Sequence, residues 1–203
     1  MEIGCVFCDR TKFEERLVGE TQEFWNIATL GQISNGGYML LVSKSHVSCI
    51  GAMEQEKINL LAAAEKKMRF VLSAAYNARH IAFFEHGIVG QTVKHAHLHF
   101  IPEKLSIAKR IQKDFPDSEI ITINSWNELP KLYKKTQKPY LLWRDAELET
   151  RVCLNPPAPP QYLRIVVAEA LGRPERANWR NMDPELDKRL WSETVTWLKP
   201  YFS

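Results

Sequence analysis

KHAHLHFIP, from Lys94 to Pro102, carries an unusually regular alternation of side chains. It sets three of the chain's six histidines at alternate positions, His95, His97 and His99, with Ala96, Leu98 and Phe100 apolar between and after them. Successive side chains of a β-strand point to opposite faces, so the imidazoles share one face and the apolar set shares the other. Burying the apolar face then gathers the imidazoles on the opposite one. Neighbouring histidines stand roughly 7 Å apart, two residues at about 3.3 Å each. One metal ion cannot collect all three across that span, so the members of the triad have different jobs. The plain alternative is a half-exposed strand whose polar face happens to be histidine. Solvated strand positions are more usually Lys, Glu or Thr.

Outward from the triad, EFWNIATL (Glu23–Leu30) and GYMLLVS (Gly37–Ser43) read as strands joined by the turn-rich SNGG at Ser34–Gly37. A long helix is predicted from Met53 to Tyr76. It buries a stripe of Ile58, Leu61, Met68, Val71, Leu72 and Ala75, with Glu65, Lys66 and Arg69 off it. HIAFFEHG (His80–Gly87) is the next strand, and a glycine-bounded GIVG leads into the triad strand. Sequential strands with one long helix between them predict an antiparallel α+β domain over residues 1–102.

Beyond Pro102 the texture changes. EIITINS (Glu119–Ser125) and PYLLWRD (Pro139–Asp145) read as strands, and TRVCLN (Thr150–Asn155) is expected to pair with the latter. After the stiff PPAPP spacer, Pro160 starts a helix that runs to Leu171 with Gly172 as its cap. Asp183 and Pro184 open a last helix expected to bury Leu186, Leu190 and Trp197. Residues 103–203 are thus read as a folded C-terminal α/β extension packed on the first domain, because Leu163, Val167, Trp191 and Trp197 are too apolar for a free tail. Arg164 and Arg180 are candidates for the rim of an anion site, or ordinary surface arginines.

The bulk properties set limits. A chain of 203 residues can bury a real core. Its net charge of +3 suits small anionic ligands but is too weak for extended nucleic-acid binding. MEIGCVFCDR lacks the apolar run of a signal peptide, and no stretch approaches the ~18 apolar residues of a membrane span. A cytoplasmic, reduced protein with no membrane partner is expected, its four cysteines not forming a disulfide scaffold.

Cys5 and Cys8 form a CxxC, which alone is open to zinc, redox chemistry or chance. A thioredoxin-type reading needs a βαβ context that is missing. His46, ending the second predicted strand, and His95 would complete a closed Cys₂His₂ set suited to a structural zinc. Two inert thiols and a surface His46 are the alternative.

HAHLHFI, at His95–Ile101, resembles the signature of the histidine-triad family. GQTVKHAHLHFIP (Gly90–Pro102) is similar to the corresponding stretch of the fragile-histidine-triad and Hint-type branches. CVFC, GYMLLVSKSHV, the long helix and FFEHG follow in the family's order over the first half of the chain. The resemblance implies a HIT-like fold with an antiparallel five-stranded sheet, commonly paired as a homodimer. It implies a nucleotide hydrolase or nucleotidyltransferase acting at an α-phosphate, and structural zinc on Cys5, Cys8, His46 and His95. On this reading His97 is the nucleophile, since a near-neutral imidazole held at Nδ1 leaves Nε2 free to attack. His99 then hydrogen-bonds the phosphate or the leaving group, unless it is a buried structural histidine. Gln91 and Thr92 carry donors for phosphate oxygens, or are turn residues. Asn26 is a candidate for the ribose hydroxyls, or a solvated strand position.

Two departures stand out. Many members open the second strand with Gly-His and place a proline before its terminal Lys-x-His, where this chain has Gly37-Tyr38 and Ser43. The RDAELET segment and NWRN (Asn178–Asn181) are similar to C-terminal regions of larger relatives. The leading expectation is an enzyme on nucleoside or dinucleoside polyphosphates. Deadenylylation of nucleic-acid ends, as in aprataxin-like relatives, is disfavoured because no histidine follows His99 and Cys153 is the only later cysteine to build their extra zinc finger. The non-enzymatic alternative is a nucleotide-binding or RNA-processing scaffold, which has no need of the middle histidine.

Overall fold

Phe-Trp-Asn-Ile-Ala and Met-Leu-Leu-Val-Ser are short runs of aromatic and branched residues, and they form β2 (Phe24–Ala28) and β3 (Met39–Ser43) of a sheet that organises the molecule. The computed structural model describes Glu2 and residues 4–202. Ahead of β2 lies β1 (Leu17–Glu20), a strand of four residues too short to show in the sequence pattern. The helix α1 spans Gln55–Tyr76 and ends on Asn77, whose φ of 48° supplies the left-handed cap. Then come β4 (Ala82–Gly87) and β5 (His97–Ile101), the latter beginning two residues after His95. The second half adds α2 (Ala108–Asp114), β6 (Ile120–Ile123), α3 (Glu128–Thr136), β7 (Tyr140–Arg144) and β8 (Thr150–Leu154). It closes with α4 (Tyr162–Ala170) and α5 (Pro184–Leu198), α5 being capped by the Asp183 carboxylate on Leu186 N–H at 2.7 Å. Among the described residues, no helix is long and apolar enough to cross a membrane.

All strand pairs are antiparallel, in the order β1-β2-β3-β5-β4-β7-β8-β6. The five strands expected of the first domain are contiguous, but the sheet does not stop there. β7 pairs with the outer edge of β4, from Phe83 opposite Arg144 to Gly87 opposite Tyr140, and the sheet grows to eight strands. As the alternation predicts, Ala96, Leu98 and Phe100 enter the core under α1, with Ile58, Leu61, Met68, Val71 and Leu72. His97 and His99 face the other side, opposite Val42 and Leu40 on β3.

Two burial expectations are corrected. Glu65 lies within the buried part of α1, its carboxylate paired with Arg69 one turn on. Trp197 is 59 % exposed, its ring 5.8 Å from that of Tyr76, while α5 buries Asp187, Thr194 and Leu198 alongside Leu190. Asp187 faces inward because it accepts the backbone N–H groups of Gly31 and Gln32 at 3.0 and 2.9 Å. Thr194 does the same for Gly37 N–H at 2.9 Å. Polar side chains of α5 thus hold the Thr29–Tyr38 loop, and a hydrophobic stripe alone cannot reveal such partners.

On the helix side of β4, Glu85 is fully buried and accepts from Ile50 N–H and Tyr140 O–H, each at 2.7 Å. Burial outweighs these donors and pushes its carboxyl up to about 7. A carboxyl raised on folding favours the native state fully below its ordinary value, and that contribution is lost as pH rises through 7. Relative to Glu85→Gln, the wild type should therefore lose up to about 3 kcal/mol between pH 4.5 and 8. Urea unfolding of both proteins at pH 5 and pH 8 checks this, and parallel pH dependences would refute it.

Candidate functional site

The N-terminal loop carries Cys5 and Cys8 over the end of β3 and the approach to β5. Their Sγ atoms and the Nδ1 atoms of His46 and His95 all lie within 4.8 Å of one another. Sγ–Nδ1 separations are 3.4 Å for Cys5–His95, 3.4 Å for Cys8–His46 and 3.7 Å for Cys8–His95. A tetrahedral zinc with bonds of ~2.3 Å to sulfur and ~2.05 Å to nitrogen puts those atoms about 3.6 Å apart. The far ring nitrogens are held as well. His95 Nε2 donates to the Ser43 carbonyl at 2.7 Å, and His46 Nε2 meets the Glu2 carboxylate at 2.8 Å. Such outer partners orient metal-binding imidazoles. The four residues can hold a metal ion, and the donor set suits zinc.

His97 sits next to this cluster but takes no part in it. Its Nδ1 lies 2.6 Å from the His95 carbonyl oxygen, an acceptor only, so Nδ1 carries the hydrogen and Nε2 the lone pair. Burial, together with the nearby His95 and Arg164, lowers His97 to about 4. The ring is neutral at pH 7. His99 stacks on Phe84 with ring centroids 4.4 Å apart and planes 8° from parallel. Burial, then His97, His86 and Arg164, hold it well below the ordinary histidine value.

Both rings line a cavity of about 650 Å³. One part of its wall is apolar, formed by Val6, Phe7, Leu40 and Val93. Lys12, Arg16, Lys94, Arg164 and Arg180 also line it, with Glu2 as the only carboxylate among the described lining residues. A cavity with that balance concentrates polyanions.

The second half of the chain builds part of this wall. Arg164 of α4 is 5 % exposed and donates to the Tyr38 hydroxyl at 3.0 Å and to the Gly31 carbonyl at 2.9 Å. Gly31, at φ +68°, permits the approach, because a Cβ there would lie 2.7 Å from the guanidinium and 2.3 Å from Trp179. Beside it, the Leu163 N–H donates to His86 Nε2 at 3.0 Å, so a β4 histidine satisfies a free donor in the first turn of α4. Burial lowers His86 to about 3, which keeps it an acceptor.

The structure gathers Cys5, Cys8, His46 and His95 in one cluster and His97, His99, Gln91 and Thr92 on one cavity. The Gln91 amide nitrogen donates to the Ser48 carbonyl at 2.8 Å, and its buried oxygen has no hydrogen-bond partner among the described residues. Asn26 does not line the cavity. It shares the α1 side of β2 with Phe24 and Ala28, 1 % exposed, since alternation from cavity-side Ile27 turns it away. Arg180 lies on the cavity rim, its guanidinium 4.3 Å over the Trp179 ring. Sequence reasoning missed His86 and the hydroxyl of Tyr38. The position of Tyr38, where many triad proteins carry histidine, was the available signal.

No curated protein matches the chain. Among solved structures, it is similar to a hypothetical histidine triad nucleotide-binding protein from Sulfolobus tokodaii strain7, at 24% identity and a TM-score of 0.43 over 48% of this chain and 68% of that one. It is also similar to a Hit-like protein involved in cell-cycle regulation from Bartonella henselae, at 20% identity and a TM-score of 0.44 over 50% and 81%. The family model described as scavenger mRNA decapping enzyme C-term binding matches residues 4–113, more than half of the chain and the span holding the Cys5–Cys8–His46–His95 cluster and the triad. The chain therefore belongs to the scavenger decapping C-terminal family of histidine-triad proteins.

Proposed function

We propose that the protein is a nucleotide hydrolase or nucleotidyltransferase acting at the α-phosphate of nucleoside or dinucleoside polyphosphates through a nucleotidyl-His97 intermediate. Residues 1–102 form its triad domain and 103–203 the extension packed on it. One observation carries the reading: His97 gives its only hydrogen to the His95 carbonyl and keeps an unprotonated Nε2 at a cavity lined by five cationic side chains. In the first half-reaction that lone pair attacks phosphorus. The P–N bond forms as the P–O bond to the leaving group breaks, and the departing oxygen keeps the electron pair. In the second, the oxygen of water or another acceptor attacks the same phosphorus and gives up its proton to solvent, the P–N bond breaks, and Nε2 recovers its lone pair. The cationic wall offsets the charge of the phosphates at both stages.

Cys5, Cys8, His46 and His95 hold zinc on this proposal. A closed four-ligand site supplies folding energy rather than an open coordination position. A cytoplasmic location follows the sequence expectation. β4 is paired on both sides within the chain, so a homodimer would not form through its edge.

The test is a panel of nucleoside and dinucleoside polyphosphates and an adenosine phosphoramidate, read by product identity. It is paired with rapid acid quench of an α-phosphate-labelled substrate. Turnover with an acid-labile label on the protein is expected. Tight binding without turnover or label on any member would instead favour the scaffold reading.

A further inference from the structure

Tyr38 is fully buried, and its hydroxyl stands between two partners, His99 Nδ1 at 2.7 Å and an Arg164 terminal nitrogen at 3.0 Å. A guanidinium has donors and no acceptor, so the phenol oxygen must accept from Arg164. Burial pushes the Tyr38 hydroxyl up to about 12, so the phenol keeps its proton. Of the two partners, only His99 can take that proton, at Nδ1. In a neutral imidazole, the hydrogen then resides on Nε2. The reverse arrangement would aim Nδ1–H and Arg164 at one oxygen and leave a buried hydroxyl proton with no acceptor, which is the costly outcome.

Arg164 is itself fixed. Its other acceptors are the backbone oxygens of Gly31, Ala177 and Arg176, all neutral, and its guanidinium carbon lies 5.3 Å from the Tyr38 ring centroid. Its charge therefore bears on the phenol. The consequence is a pair of opposite tautomers side by side. His97 and His99, with ring centroids 4.9 Å apart, carry a lone pair and a hydrogen respectively on Nε2.

We propose that Tyr38 and Arg164 are positioning residues that lock His99 as its Nε2–H tautomer, so that it donates a hydrogen bond to the leaving-group oxygen while His97 attacks. The catalytic half of this statement rests on the proposed function. The tautomer half rests on the hydrogen bonds alone. Arg164 comes from the second half of the chain, which makes that half part of the chemical apparatus.

The experiment is a long-range ¹H–¹⁵N correlation spectrum of the full ¹⁵N-labelled chain at pH 7 without nucleotide, with histidines assigned by single substitution. His99 is expected to show a protonated Nε2 and a bare Nδ1, and His97 the opposite pattern. In Tyr38→Phe the His99 pattern should average or invert while that of His97 stays. Turnover of the best substrate should fall roughly 10- to 100-fold in kcat with little change in KM, the worth of one hydrogen bond to a charged group. A wild-type His99 protonated at Nδ1, or a Tyr38→Phe spectrum with His99 unchanged, overturns the relay. The wild-type spectrum decides the tautomer even if the variant fails to fold. An Nε2–H pattern in a chain that turns over no nucleotide would support the relay and refute the proposed function.

Discussion

His97→Asn is expected to retain nucleotide binding while turnover falls on the order of 10⁴- to 10⁶-fold, the scale of losing a catalytic nucleophile. Asparagine is the informative replacement. Its side-chain amide can still donate to the His95 carbonyl, as Nδ1 of His97 does at 2.6 Å, so local geometry is preserved. What it lacks is an atom to form the P–N bond. The cationic wall and the apolar patch around Phe7 are untouched, so equilibrium binding should change little. His99→Asn should cost less, because it removes a hydrogen-bond donor and leaves the attacking atom in place. Single-turnover rates and equilibrium binding on the same substrate separate the two effects. Near-normal turnover in His97→Asn would exclude the covalent mechanism.

The second large effect concerns the metal cluster. One zinc per chain is expected in freshly purified protein, and Cys8→Ser should lower stability by several kcal/mol, since structural zinc contributes folding energy directly. The N-terminal loop shows why the loss is not local. Its backbone is closed by the Cys5 N–H on the Glu2 carbonyl at 3.3 Å and the Cys8 N–H on Cys5 at 3.0 Å, a weak framework without the metal. That loop presses Phe7 against His95 and His97, with ring centroids 5.7 and 5.2 Å away. Releasing it opens the apolar wall of the cavity. Thermal unfolding with and without chelator, alongside elemental analysis, measures the effect. Metal-free protein of unchanged stability would refute it.

What could be read in advance follows a physical divide. Alternation in HAHLHF is a local signal of period two, and it gave the strand, the face of each histidine and the core beneath Leu98 and Phe100. The α1 stripe, the antiparallel strands and the Asp183 cap were legible for the same reason. β1 was not, being four residues with no clear alternation, nor were the short helices α2 and α3. The wider failure concerns polar residues whose meaning lies in a distant partner. Arg164 touches Tyr38 from 126 positions away, and Asp187 touches Gly31 from 156. No window along the chain contains such pairs. Trp197 misled in the other direction, since an apolar type at a helical spacing says nothing about whether a neighbour arrives to cover it.

The pairing of β4 with β7 also bears on how the chain reaches this state during synthesis. β4 ends at Gly87 and its outer partner begins only at Tyr140. At a translation rate of about 5–20 residues per second, several seconds pass in which that edge presents unpaired backbone groups. A nascent chain on a neighbouring ribosome offers the same β7 sequence to that open edge. Exchange of the 103–203 segment between two chains is the misassembly to which this order of pairing exposes the chain. It would reproduce each site intact, Arg164 included, but with the arginine donated by the wrong molecule.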